Sequence, residues 1–210
     1  MAKTDLIVQE KTVQSLEPIG DETIDAMRQK AQMMLDAKLM PAALNSVEKI
    51  LTVALTGKEL GIPFNMAVHN VYVINGRPSL SVHAIGSLLK KANVYYKCTE
   101  DFMRVDAQSG GEVTTETKET TVRTTFLFKT IWNKTVQEQS FSMTMREAAL
   151  AGWADKEVWK SMPKIMLRNR TLAIGARLVA PDVLMGMYEV SEISDAGISF
   201  DEQGDPVIIR

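Results

Sequence analysis

The chain has 210 residues, 45% hydrophobic and 24% charged, with a formal net charge of −2 and a single cysteine, Cys98. That composition is ordinary for a globular domain large enough to bury its own core, and it excludes an internal disulfide. No apolar run approaches the roughly 20 residues of a membrane span, and the first stretch has no signal-peptide core, so a cytoplasmic protein with no membrane partner is expected.

The net charge conceals an asymmetry. Residues 1–25 set Lys3 and Lys11 against six acids, and residues 189–210 set Arg210 against six acids, so the ends hold −4 and −5 while the body, 26–188, holds +7. Acidic ends around a basic body suggest an anionic partner for the body. The expected organisation is an N-terminal arm (1–20), one domain (21–188) and an acidic C-terminal tail (189–210).

Within the domain, Ile24, Met27, Ala31, Met34 and Leu35 follow helical spacing between Thr23 and Leu39. Asn45 stands three residues before Glu48, a capping-box-like start to a second helix that Gly61 and Pro63 end. "VYVINGRPSLS" places two strand-like runs around Asn75-Gly76, a strong hairpin signal, with Pro78 making the second arm short or peripheral. Ser81 then caps a helix through Ala92, with Ala84, Ile85, Leu88 and Leu89 on its inner face.

From Tyr95 to Met145 the period becomes two. Val122, Thr124, Phe126, Phe128, Thr130 and Trp132 share one face, while Arg123, Thr125, Lys129 and Asn133 share the other. This pattern predicts an antiparallel meander of three or four strands. A short helix follows at 146–152. A long basic helix comes next, with Ser161 as its N-cap and Pro163 in its first turn, and Pro181 and the tail close the chain. Strands cluster rather than alternate with helices, so the fold class is α+β: a β-meander and a β-hairpin packed with helices.

Familiar catalytic arrangements are missing from the sequence. His69 and His83 have no companions at metal-ligand spacing, "LTGKEL" lacks the glycine and hydroxyl of a phosphate loop, and Cys98 has no identifiable base. No cofactor and no catalytic residue is therefore expected. The acids Asp101, Asp106, Glu112, Glu116 and Glu119 leave a metal-dependent nuclease open as an alternative.

Positive charge is the remaining signal. Residues 156–180 hold Lys156, Lys160, Lys164, Arg168, Arg170 and Arg177 against Glu157 alone. Advancing about 100° per residue puts Lys164, Arg168, Thr171 and Gly175 on one stripe and Arg170 and Arg177 on a second, roughly opposite, with apolar residues between. An unpaired buried cation costs several kcal/mol, so each must reach water, a carboxylate or a bound anion. Asp155, Glu157 or Asp182 could absorb one or two of these charges. The surplus points to phosphates, which the planar guanidinium grips well, and hence to nucleic acid. Trp159 is a candidate base-stacking residue. Of the two stripes, the one with Lys164 and Arg168 is expected to touch phosphate; the other could hold a neighbouring element or subunit.

"VYVINGRPSLSVHAIGSLLKKA" followed by "MREAALAGW" and "VWKSMPKIMLRNRTLAIGARLVAPDVLMGMY" resembles the phage RecT-type single-strand annealing recombinases. Asn75-Gly76-Arg77-Pro78, Met166-Leu167-Arg168, Arg170, Arg177 and Pro181-Asp182 carry the resemblance, which covers about residues 45–190. It implies a protein that binds single-stranded DNA without sequence preference, anneals it to a complement without ATP, and assembles into rings or helical filaments. It also implies a partner exonuclease in a bacterial host cell. On this reading Lys160, Lys164, Arg168, Arg170 and Arg177 hold the DNA backbone, and Arg77, Arg123 and Lys129 form a facing wall. The alternatives are a passive single-strand binder, the nuclease, and a structural oligomer whose basic helix meets an acidic neighbour, such as its own tail.

Overall fold

The computed structural model describes residues 23–208 except 75, 110–111, 133, 196–197 and 201–205, with side chains described outside 103–120, 132 and 194–208. The expected arm, 1–20, lies outside the described residues. Helix α1 (Ile24–Asp36) begins where the Thr23 hydroxyl accepts the Ala26 N–H. Helix α2 (Val47–Glu59) is capped by Ser46 rather than Asn45. The Ser46 hydroxyl accepts the Lys49 N–H, and the Asn45 side chain accepts from Lys49 Nζ instead. Gly61, at φ +66°, turns the chain out of α2. A short helix, α3 (Phe64–Asn70), follows. The sequence did not announce α3, because only Ala67 and Val68 are buried along it and two adjacent positions define no period.

The hairpin forms as expected from β1 (Val71–Ile74) and β2 (Arg77–Leu80), with Val71 opposite Leu80 and Ile74 opposite Arg77. Helix α4 (Val82–Lys91) starts at the expected Ser81 cap, whose hydroxyl accepts the Ala84 N–H, and buries Ala84, Ile85, Leu88 and Leu89. The meander has three strands, β3 (Tyr95–Ser109), β4 (Glu112–Trp132) and β5 (Thr135–Thr144), antiparallel in that order. Helix α5 (Met145–Leu150) opens with a capping box: the Thr144 hydroxyl accepts the Glu147 N–H while Glu147 Oε2 accepts the Thr144 N–H.

The basic segment is two helices, α6 (Glu157–Ser161) and α7 (Pro163–Val179). Ser161 is not the cap of α7. It ends α6, donating its hydroxyl to the Val158 carbonyl, and α7 starts at Pro163, where a proline's missing N–H costs nothing.

The chain then continues through α8 (Pro181–Leu184), β6 (Tyr188–Glu189), α9 (Val190–Asp195), β7 (Ile198–Phe200) and β8 (Pro206–Ile208). The segment expected as a tail therefore begins inside the domain. β6 pairs in parallel with β2, Ser79 opposite Tyr188 and Leu80 opposite Glu189, which makes β2 central in its sheet. Pro78 survives there because the pairing uses only the two residues beyond it. Among the described residues no helix is long and apolar enough to cross a membrane.

One main core joins α2, α3, α4 and α7 to the inner face of the meander. Phe126 and Phe128 on β4 lie with ring centroids 5.9 Å apart and pack in the cluster that holds Leu172, Ala173 and Ala176 of α7 and Ile85 and Leu89 of α4. Each of the larger side chains here, phenylalanine, leucine or isoleucine, contributes about 1.5–3 kcal/mol on burial. A smaller cluster of Met143, Ala148, Trp159, Met166 and Leu167 fixes the start of α7.

Candidate nucleic-acid interface

Helix α7 is apolar on two sides because it lies against the meander and against α4, and its cations leave along the two strips between. The structure gives these strips opposite fates. On the first, Arg170 is 2% exposed; its Nη2 donates to the Ser191 carbonyl at 3.0 Å, and its guanidinium carbon sits 4.4 Å from the Trp153 ring centroid. About two turns on, Arg177 grips Glu192 with both prongs, Nη1 to Oε1 at 2.6 Å and Nη2 to Oε2 at 2.5 Å, and stacks 4.7 Å from Tyr188. Glu189 folds in beside them. Its Oε2 accepts the Ser191 N–H at 2.9 Å and the Ser191 hydroxyl. Burial pushes the Glu189 carboxyl up from its ordinary range, against the pull of the Ser191 hydrogen bonds.

Arg170 and Arg177 are thus structural groups, not the phosphate ligands expected from the sequence. Their partners are supplied by β6 and α9, not by Asp155, Glu157 or Asp182. The signal was present: two arginines seven apart on one strip face acids three apart, Glu189 and Glu192, a spacing that also gathers on one side of a helical turn. Charge totals had assigned those acids to a separate tail.

On the Lys164/Arg168 strip only the start of α7 stays open. Arg168 is exposed and makes no ion pair among the described residues. It borders a cleft of about 420 Å³ between α4 and α7. His83, Ser87 and Lys90 form the α4 wall, Arg168 and Asn169 the α7 wall, and Tyr96, Cys98 and Phe126 of the meander lie beneath. Among the described residues no carboxylate lines the cleft. One turn before Arg168, Lys164 lies 3.0 Å from Glu100 and 5.0 Å from the Phe102 centroid, so part of its charge is neutralised. Burial, and then Glu100, push the Cys98 thiol up, against the opposing pull of Arg168 and Lys164, which keeps it protonated rather than nucleophilic.

The rest of the Lys164/Arg168 stripe faces inward. Thr171 is fully buried and donates its hydroxyl to the Leu167 carbonyl at 2.6 Å. Gly175 lies flush against the meander, where a Cβ would stand 2.7 Å from Phe128 Cε2. The small residues therefore admit a phenylalanine ring and not a nucleic-acid backbone.

Trp159 does not stack on bases. It is 1% exposed, packed 6.0 Å from Trp153 in the smaller core. Lys160 is exposed on α6. The expected facing wall does not assemble. Arg123 and Lys129 alternate with the buried Thr124, Phe126 and Phe128 and so leave from the opposite face of β4. There Arg123 approaches Asp101 at 4.0 Å and Lys129 meets Glu138, its cross-strand neighbour, at 2.5 Å. Arg77 is exposed at the start of β2 and does not line the cleft. The wall opposite Arg168 is instead α4, with Lys90, whose pairing with α7 no local pattern announces. Among the described residues no group of three or more His, Cys, Asp or Glu gathers as a metal site.

Compared with protein-family models, with curated proteins and with solved structures, the chain finds no match.

Proposed function

We propose that the protein is an ATP-independent single-stranded DNA-binding and strand-annealing protein of phage-type homologous recombination. The observation that supports this most is the cleft between α4 and α7. It sets Lys90 and Arg168 on facing helices with no lining carboxylate among the described residues, while the other basic strip is neutralised from within. The RecT-type resemblance of the hairpin and of α7 agrees with this reading.

In this proposal Arg168, Lys90 and Lys164 hold successive phosphates, and Lys160 extends the track along α6. The bases point away from the protein and remain free to pair. Annealing is driven by base pairing itself; the protein lowers the repulsion between two phosphate backbones and keeps the first strand extended. Copies of the chain line up in a ring or filament so that their clefts form one track, and an exonuclease supplies the single strand.

Two fluorescence measurements test it. Binding of a labelled oligonucleotide should weaken with salt, log K falling by about 0.7 per log unit of salt for each phosphate neutralised. Two complementary labelled strands should anneal faster with the protein than alone, without ATP. Binding without acceleration would leave a passive single-strand binder, and strand loss in Mg²⁺ would leave a nuclease.

A further inference from the structure

Phe102 is 47% exposed, while Phe126 and Phe128 on the neighbouring strand are 2% and 1% exposed. A single exposed apolar residue is ordinary, so its position decides what it means. Tyr96, Cys98, Glu100 and Phe102 alternate along β3 and share the face that meets α7. Tyr96 and Cys98 line the cleft together with Arg168. Further along the strand, Glu100 and Phe102 meet Lys164, one helical turn before Arg168. β3 and α7 thus carry the two sides of the cleft onward, and the strip between them ends on a phenylalanine. α7 begins at Pro163, one residue before Lys164, so the helix that covers Phe126 and Phe128 stops at Phe102.

The sheet changes register at the same place. Asp101 pairs with Arg123 but Phe102 pairs with Thr121, which leaves Val122 as an extra residue on β4. Bulges of this kind sharpen the local twist and re-aim side chains at sheet rims and beside binding sites. Phe102 consequently faces a threonine across the ladder, and among the described residues it makes no contact with another ring. Its polar neighbour is the Lys164 amine, 5.0 Å from the ring centroid. Nearly half of the residue still faces water. An open aromatic surface beside a cation, continuous with a basic cleft, matches the two halves of a nucleotide: a flat base and a phosphate.

We propose that Phe102 is a base-stacking residue. The proposal rests on the DNA-binding reading above: one nucleotide sets its phosphate against Lys164 and lays the face of its base on the Phe102 ring. Stacking uses the face of a base and leaves its pairing edge free for a complement. Every base has such a face, so the contact holds a strand without choosing its sequence. This is the role that the buried Trp159 does not fill.

Equilibrium binding of the full chain to two probes tests it: an oligonucleotide, and a strand of the same length made of abasic deoxyribose phosphates. The parent should bind the oligonucleotide about tenfold more tightly. Phe102→Leu keeps apolar bulk but loses the ring, and should bind both strands alike; Phe102→Trp should restore the difference. The salt slope for the abasic strand should be equal in all three proteins, because Lys164 still holds its phosphate. A parent without preference for the base-bearing strand, or a Phe102→Leu variant with the parent's preference, would overturn the proposal and leave the cleft as a phosphate track alone. A smaller salt slope in Phe102→Leu would also overturn it, by showing that the ring only props Lys164. Failure of the parent to bind either strand would overturn the DNA-binding reading and this proposal together.

Discussion

Arg177 and Glu192 meet through two parallel hydrogen bonds, although one closes the long basic helix and the other belongs to the short α9. Only 6% of the Glu192 side chain is exposed, against 19% for Arg177, so the pair sits largely out of water. Removing one partner leaves the other charge uncompensated. Glu192→Ala should destabilise the protein by about 3 kcal/mol, within the range for a broken buried pair. Urea unfolding measures this. An unchanged midpoint would mean the pair is solvated and α9 is not part of the fold.

Arg168→Ala should behave in the opposite way. The side chain is exposed and makes no ion pair among the described residues, so the unfolding midpoint should stay within experimental error. Single-strand affinity should fall about tenfold, and the salt slope should lose roughly one phosphate's share. A loss of stability with unchanged affinity would place Arg168 in the structural network instead.

Gly175→Ala separates two explanations of the small stripe on α7. A Cβ there would meet Phe128 Cε2 at 2.7 Å, Cζ at 2.9 Å and Phe141 Cβ at 3.2 Å. The expected cost is about 1–3 kcal/mol of overpacking. Adding Phe128→Leu should recover part of it, since the ring is the obstruction. Lost DNA binding without lost stability would instead mean that the glycine faces the ligand.

How much of this was legible before the fold is clear from particular residues. Period two along 122–132 identified the inner face of β4, because Thr124, Phe126 and Phe128 are buried and a one-sided sheet must alternate. Ser81, Asn75-Gly76 and Pro163 act through local backbone chemistry and could be read in place. The angular reading of α7 separated its two basic strips correctly. What covers a strip is a long-range matter, however: Ser191 and Glu192 lie 21 and 15 residues beyond their arginines and arrive by way of a sheet. Trp159 was misread for a related reason. Its burial depends on α5, α6 and α7 converging, and no local pattern records that.

Glu189 gives a pH signature. Its carboxyl is raised in the folded state, chiefly by burial, so the folded protein holds this proton more tightly than the unfolded chain. The sign follows: stability linked to this group is greatest below the ordinary carboxylate value of 4.5 and is lost as pH rises from there through the raised folded value. Glu192 beside it adds to the rise, and Arg170 and the Ser191 bonds oppose it. Glu189→Gln should therefore gain stability over the parent at neutral pH and match it near pH 4. Thermal melts across that range would show it; a variant that loses stability at neutral pH would mean that the ionised form is the favoured one.

The parallel pairing of β6 with β2 has a consequence for how the protein is made. Leu80 waits for Glu189, more than a hundred residues later in translation, before the hairpin sheet is complete. At about 5–20 residues per second, that interval lasts several seconds. Near its end, α7 emerges with Arg170 and Arg177 made 21 and 15 residues ahead of their partners Ser191 and Glu192. The nascent domain is then more basic than the finished one, and its last folding step is the one that withdraws this charge from any polyanion nearby.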